Sequence, residues 1–203
     1  MIVIGLTGST ASGKSTVSKI LNKHGFHVIF ADLLGHESYK LNTQTYSQLV
    51  EVFGPNIIAE DKTINRDKLG TLVFYDAEKM NSLTDIVWPA IKTLAFERIQ
   101  SYRRNHPRTP IVFEAAILLE AGWQNLVDEI WLIVSPREQI ISRALARDQT
   151  TRSAIEARLN SQLSDDERIS QADVCIHNNQ DLTQLELAVE EEVSRLYQRL
   201  TIA

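Results

Sequence analysis

The chemistry of this chain is concentrated in one short stretch near its start. Residues Gly8-Ser9-Thr10-Ala11-Ser12-Gly13-Lys14-Ser15 match the pattern G-x-x-x-x-G-K-[ST] in full. Glycines let a backbone wrap closely around phosphate with its N–H groups turned inward. A helix that follows adds the positive end of its dipole. Lys14 is the candidate for the β- and γ-phosphates, Ser15 offers a hydroxyl to Mg²⁺, and Thr16 adds one near the α-phosphate. Gly8, Ala11, Ser12, Gly13, Lys14, Ser15 and Thr16 are therefore the expected nucleotide contacts. At average composition such a match arises by chance in about one chain of this length in a hundred. Its setting, after an apolar run and before an amphipathic one, favours a working loop over a Gly/Ser-rich turn.

A loop of this kind says only that a nucleoside triphosphate binds, and other residues must narrow the reaction. A guanine-reading N-K-x-D is missing, because Asn22-Lys23-His24-Gly25 lacks the acid. Asp32-Leu33-Leu34-Gly35 and Asp67-Lys68-Leu69-Gly70 match D-x-x-G but do not follow the third apolar run. Motor-type ATPases end a strand with consecutive acids, whereas Ile111-Val112-Phe113-Glu114 supplies one. Glu114 is balanced between holding Mg²⁺ through water or positioning the loop and simply capping a backbone amide. Asp32 follows the second apolar run. A carboxylate there can orient an acceptor hydroxyl and take its proton during phosphoryl transfer; the plainer role is a helix N-cap. Ser15 and Asp32 are the candidate metal contacts.

Arginine supplies all six basic residues in 137–168: Arg137, Arg143, Arg147, Arg152, Arg158 and Arg168. Guanidinium groups fork onto phosphate oxygens and stack on adenine. Arg143 and Arg147, four apart, are expected on one helix face, the layout of a lid over ATP. Arg152 and Arg168 are expected on a solvated face balanced by nearby acids.

These residues need a scaffold. Apolar runs at 2–6, 26–30, 110–114, 129–134 and 173–177 read as strands buried on both faces. Helical patterns between them argue for a parallel sheet in an α/β fold. The first helix is expected to begin near Lys14, with Val17, Ile20 and Leu21 on its apolar face and Gly25 as its stop. The last helix carries Leu182, Leu185, Val189, Val193, Leu196 and Leu200 at helical spacing. Glu190, Glu191, Arg195 and Arg199 are expected to face out, with Glu191–Arg195 as an i, i+4 pair. The span from Asp32 to Thr109 exceeds one crossover and holds helical patterns at 43–53, 67–75 and 84–102, which suggests an inserted helical lobe.

The bulk properties set limits. The 203 residues are 43% hydrophobic and 23% charged, an ordinary globular composition in which a single domain with an insertion fits. A formal net charge of −5 argues against non-specific nucleic-acid binding, so a polyanion must be met locally. One cysteine, Cys175, excludes an intrachain disulfide and a zinc cluster. No targeting segment or membrane-length apolar run is visible, so no membrane partner is expected.

Taken together the motifs resemble the dephospho-coenzyme A kinase family over nearly the whole chain. The resemblance is carried by Gly5-Leu6-Thr7-Gly8 with Gly13-Lys14-Ser15-Thr16, by Ala31-Asp32, and by Asn65-Arg66-Asp67-Lys68-Leu69 with Val73-Phe74. Leu118-Leu119-Glu120, Arg143 with Arg147-Asp148, Arg158 with Gln162, and Asn178-Asn179 complete it. The run from Leu118 to Val127 is similar to the kinase half of the bifunctional animal coenzyme A synthase, although this chain is too short for the adenylyltransferase half. The resemblance implies a P-loop NTPase-type core with a five-stranded parallel sheet (1–34, 108–136 and 172–203), a substrate lobe inserted after the second strand (35–107) and a lid (137–171). It implies ATP and Mg²⁺, transfer to the ribose 3′-hydroxyl of dephospho-coenzyme A, and a cytoplasmic setting. It makes Asp32, Lys14 and Arg143 the catalytic candidates, Arg147 a lid phosphate binder, Asn178 an adenine-side residue and Arg66 a candidate for substrate phosphate. Phe30 stands where many members carry an acid, Ala11 where a glycine is common, and Trp88-Pro89 where bacterial members often have His-Pro. Another small-molecule P-loop kinase, or a nucleotide-binding module without turnover, is the alternative; oligomeric state is left open between monomer and weak self-association.

Overall fold

The structure, a computed structural model, describes residues 2–74, 76–148 and 150–202, with side chains through 200. Met1, Tyr75, Gln149 and Ala203 lie outside the described residues, so the expected helix end at Tyr75 does too. The chain divides into two units, residues 1–29 with 102–203 and residues 30–101.

The first unit is built on a five-stranded parallel sheet. Its strands are β1 (Val3–Thr7), β2 (His27–Phe30), β3 (Ile111–Glu114), β4 (Glu129–Val134) and β5 (Val174–His177), in the order β2-β3-β1-β4-β5. Each expected apolar run contains its strand to within a residue at either end. Strand β1 is buried along its whole length and lies between β3 and β4, with Leu6 opposite both Glu114 and Trp131. Its carboxyl end is thus at the centre of the sheet, where a loop has neighbours on both sides.

Helices α1 (Lys14–Lys23) and α9 (Leu182–Ile202) pack together over the sheet. Val17, Ile20 and Leu21 of α1 meet Leu185, Val189, Val193 and Leu196 of α9 across Ile4, Leu6, Trp131 and Ile133. Arg195 and Arg199 of α9 face out as expected, with side chains 43% and 49% exposed, but their partners differ from the expected ones. Arg195 pairs with Glu192 at 2.6 Å rather than with Glu191, and both Arg195 and Arg199 reach Glu129 at the amino end of β4. Glu129 is buried and also accepts from the Trp131 indole at 2.9 Å, so its charge is matched by donors from two elements.

At the edge strand, His27 stacks on Tyr102 with ring centroids 3.6 Å apart, and Tyr102 stacks on His106 at 4.3 Å. Burial, and secondarily the nearby His106, hold the His27 imidazole below its ordinary range. A depressed histidine contributes stability that is fully present above the ordinary value near 6.5 and is lost as pH falls through the folded-state value. Thermal melts across that interval are expected to show a Tm that falls on acidification, with a shallower slope in His27→Gln; an unchanged slope would remove His27 from the account.

Four helices dominate the second unit: α2 (Ala31–Ser38), α3 (Gln44–Phe53), α4 (Arg66–Val73) and most of α5 (Ala77–Asn105). Thr43 and Asn65 cap α3 and α4 by accepting from Tyr46 N at 3.1 Å and Lys68 N at 3.0 Å. Leu34, Leu49, Ile57, Leu69, Val73, Val87, Ile91 and Ala95 form the buried set. Helix α5 starts seven residues before the expected 84–102 and continues through Pro89. Asp76 Oδ1 accepts from Lys79 N at 3.1 Å, a capping contact that accounts for the earlier start.

Between α5 and α9 the first unit also contains α6 (Arg137–Arg147), α7 (Arg152–Asn160) and α8 (Asp165–Ile169). Ile141, Ala144 and Ile155 form a small cluster of their own between α6 and α7.

Candidate active site

The loop at residues 8–15 leaves β1 and turns directly into α1, as its pattern requires. Two of its glycines are sterically obligatory. Gly8 has φ 144°, and a Cβ there would sit 2.5 Å from the Ile133 carbonyl; Gly13 has φ 112°, and its Cβ would fall 2.2 Å from Asn178 Nδ2. Ala11 also occupies the left-handed region, at φ 60°. An L-residue there costs about 1–2 kcal/mol. Its methyl packs against the Ile141, Ala144 and Ile155 cluster, a contact glycine could not make.

No side chain caps α1 at Gly13, and its first turn carries no acid. The leading N–H groups of that helix are thus available to an anion, with the dipole behind them. Lys14 is nearly buried, and its Nζ donates to the carbonyls of Gly8 and Ser9 at 2.9 Å each. Exposed Ser15 and half-buried Thr16 follow on the first turn. Ser15 Oγ donates to Glu114 Oε1 at 3.4 Å, and Ser18 Oγ donates to Glu114 Oε2. Among the described residues, Glu114 therefore accepts from two α1 hydroxyls and not from a backbone amide.

A second layer holds the loop from below. Ser135, just past β4, donates to Asn178 O at 2.8 Å and contacts Ser12 O at 3.0 Å, while Asn178 Nδ2 donates to Ser12 O at 2.8 Å. Arg143 Nη1 donates to Ser135 Oγ at 3.0 Å, and Nη2 donates to Gln139 and to Asn178. Arg143, Asn178 and Ser12 are thus brought together through Ser135. Ser135 was not singled out by the sequence; its signal was its place as a hydroxyl at the carboxyl end of a core strand. Arg147 goes elsewhere. It forks onto Asp148 at 2.8 and 2.9 Å, and this guanidinium holds the Asp148 carboxyl below the usual carboxylate range. The two arginines expected on a common face therefore serve different partners.

Arg168 overturns its expected place on a solvated face. Its side chain is 1% exposed and pairs with Glu120 at 2.7 Å. Surrounding acids in sequence made it look like one charge in a balanced surface run. Arg152 does lie on such a face, paired with Glu138 and Glu156.

Asp32 belongs to the second unit. It is exposed in the first turn of α2, whose N-cap position is Phe30, so the N-cap reading of Asp32 does not hold. In the same unit, His36, Tyr39, Lys40, Leu41, Thr63, Ile64 and Arg66 line a cavity of about 230 Å³. Arg66 Nη1 lies against the His36 ring, 3.3 Å from Nδ1. Two basic side chains face each other there beside Lys40.

The sequence pattern of the Dephospho-CoA kinase family matches residues 2–184. The chain belongs to that family. Among the relatives of this chain is the Dephospho-CoA kinase of Geobacter sulfurreducens, 41% identical over 94% of this chain and 96% of its own. The crystal structure of TT1252 from Thermus thermophilus is similar at a TM-score of 0.80 and 28% identity, covering 96% of this chain and 97% of that one. The Dephospho-CoA kinase from Campylobacter jejuni has a TM-score of 0.72 and 26% identity, with 96% of each chain covered. Membership in the dephospho-CoA kinase family makes the chain a transferase of the P-loop kinase fold with ATP as its phosphoryl donor. Among the described residues, no helix is long and apolar enough to cross a membrane.

Proposed function

We propose that this chain transfers the γ-phosphoryl group of ATP to the ribose 3′-hydroxyl of dephospho-coenzyme A, giving coenzyme A and ADP. The observation that carries this reading is the complete phosphate loop, Gly8 to Ser15, inside a family match that spans residues 2–184. In the reaction the acceptor oxygen bonds to the γ-phosphorus, the bond to the β–γ bridging oxygen breaks, and ADP leaves. Transfer of this kind is mostly positioning and charge stabilisation.

Lys14 and the uncapped start of α1 bind the β- and γ-phosphates. Asp32 orients the acceptor hydroxyl and takes its proton. Arg143 and Arg147 meet phosphate charge as the lid segment 137–171 acts, and Asn178 lies on the adenine side. The residues present fit Mg²⁺: the Ser15 hydroxyl is exposed, and Glu114 beside it can hold a water of the ion. Asp32 is the other candidate contact. When bound, the ion neutralises charge on the β- and γ-oxygens. His36, Lys40 and Arg66 line a cavity suited to an anionic group of the acceptor. The core (1–34, 108–136 and 172–203) and the lobe 35–107 divide donor from acceptor in this reading.

The test is direct. With ATP, Mg²⁺ and dephospho-coenzyme A, mass spectrometry is expected to show coenzyme A, one phosphoryl group heavier than the acceptor. No product under saturating conditions, from protein that binds ATP, would overturn the assignment.

A further inference from the structure

Arg168 enters the core from α8, a single turn capped reciprocally by Ser164 and Glu167. Its Nη1 donates to Ser9 Oγ at 2.8 Å and its Nη2 to Glu120 Oε1 at 2.7 Å, with Glu120 14% exposed and Asp165 3.9 Å away. Ser9 is the residue whose carbonyl accepts both Lys14 Nζ, at 2.9 Å, and the Ser12 amide, at 3.1 Å. A continuous line of contacts therefore runs Glu120, Arg168, Ser9, Lys14. The neighbouring residue is held from the same segment, because Thr10 N donates to Gln162 Oε1 at 3.4 Å. Leu163 N in turn donates to Glu120 Oε1 at 3.3 Å.

Stability is a poor explanation for this arrangement. Arg168 Nε and Glu120 Oε2 are buried without a hydrogen-bond partner among the described residues. Taking both charges out of water is costly, and apolar residues of like volume commonly serve a core as well or better. What an apolar pair cannot do is hold the Ser9 hydroxyl at a fixed point. A guanidinium can, since its planar donors address two acceptors at once.

We propose that Arg168, aligned by Glu120, is a positioning residue for the phosphate loop: it pins Ser9 so that the loop and the Lys14 ammonium keep the geometry a triphosphate needs. The proposal rests on the reading of this loop as the ATP site and requires nothing of the acceptor. It predicts an effect on donor binding from a side chain that touches neither substrate.

The experiment compares Arg168→Met, Arg168→Lys, Ser9→Ala and the double variant of Arg168→Met with Ser9→Ala. A fluorescent ATP analogue measures donor affinity, steady-state kinetics give both KM values, and thermal melts report the fold. Arg168→Met is expected to weaken analogue binding and raise the ATP KM by about 10-fold, leaving the acceptor KM within about 2-fold. Arg168→Lys is expected to restore only part of the loss, since an ammonium lacks the planar fork that addresses Ser9 and Glu120 together. Ser9→Ala is expected to weaken binding about 3-fold, and the double variant to be no worse than Arg168→Met alone, since both cut the same link. A lowered Tm with unchanged analogue affinity would reduce the pair to a structural role and overturn the proposal, as would additive losses in the double variant. Should Arg168→Met fail to fold, Ser9→Ala decides, because it leaves the ion pair whole; unchanged affinity there overturns the proposal. Analogue binding is read without acceptor, so an error in the acceptor assignment appears separately, as intact donor affinity with no coenzyme A formed.

Discussion

Replacing Lys14 by alanine is expected to lower kcat/KM for ATP by about 10³-fold, with losses in both donor affinity and turnover. The reasoning follows the ammonium. Lys14 is only 8% exposed, and its Nζ is held by the Gly8 and Ser9 carbonyls, so it sits within the loop rather than waving in solvent. A triphosphate brought to the start of α1 meets that charge at once. As the β–γ bond breaks, negative charge grows on the leaving oxygens, and the same ammonium meets it more strongly. An interaction present in the ground state and enhanced in the transition state affects KM and kcat together. Alanine also removes the ammonium from the Gly8 and Ser9 carbonyls, the second of which keeps only the Ser12 amide, so the loop itself loses a fastening. Nucleotide titration alongside steady-state kinetics checks this. Loss confined to KM would mean that Lys14 binds the donor but does not help transfer.

The loop, its strand and its helix were legible because the signal is local. Close backbone turns demand glycine, and a strand covered on both faces demands continuous apolar residues. Both demands are written in consecutive positions, and the sheet elements fall within a residue of their expected bounds. Ala11 shows the limit even there. A left-handed alanine looks like a departure until the Ile141 cluster that receives its methyl is seen. The least legible parts are charges whose partners lie far along the chain. Arg168 meets Ser9 across 159 positions, and Arg199 meets Glu129 across 70. Charge patterning over a few residues assigned both arginines to solvent; that is wrong for Arg168, 1% exposed, and right for Arg199, 49% exposed, whose buried partner the pattern does not name. A long side chain can turn its head inward from a polar surface stretch, and periodicity does not record where the head goes. The different contacts of Arg143 and Arg147 were hidden for a related reason. Helical spacing places two stems on one side, but Asp148 beyond the helix end captures one guanidinium, and Ser135 and Asn178 capture the other.

Asp32→Asn is expected to lower turnover by about 10²-fold or more while ATP still binds. Asparagine keeps the size of the side chain and one of its oxygens, so a hydroxyl could still be oriented. It cannot take a proton, and that is the difference being tested. The competing role is now narrower than the sequence allowed. Asp32 does not cap α2, since Phe30 holds the N-cap position and Asp32 lies in the first turn. There a carboxylate interacts favourably with the helix dipole, a contribution of about 0.3–1 kcal/mol at an exposed position. Asparagine would sacrifice at most that, with little change in the melt. A helix-dipole role therefore predicts slightly lower stability and normal turnover, and a base predicts near-normal stability and slow turnover. Measuring Tm, ATP affinity and kcat on the same preparation separates them. Near-normal kcat would remove the proton from Asp32 and send the search for the acceptor's base to another carboxylate.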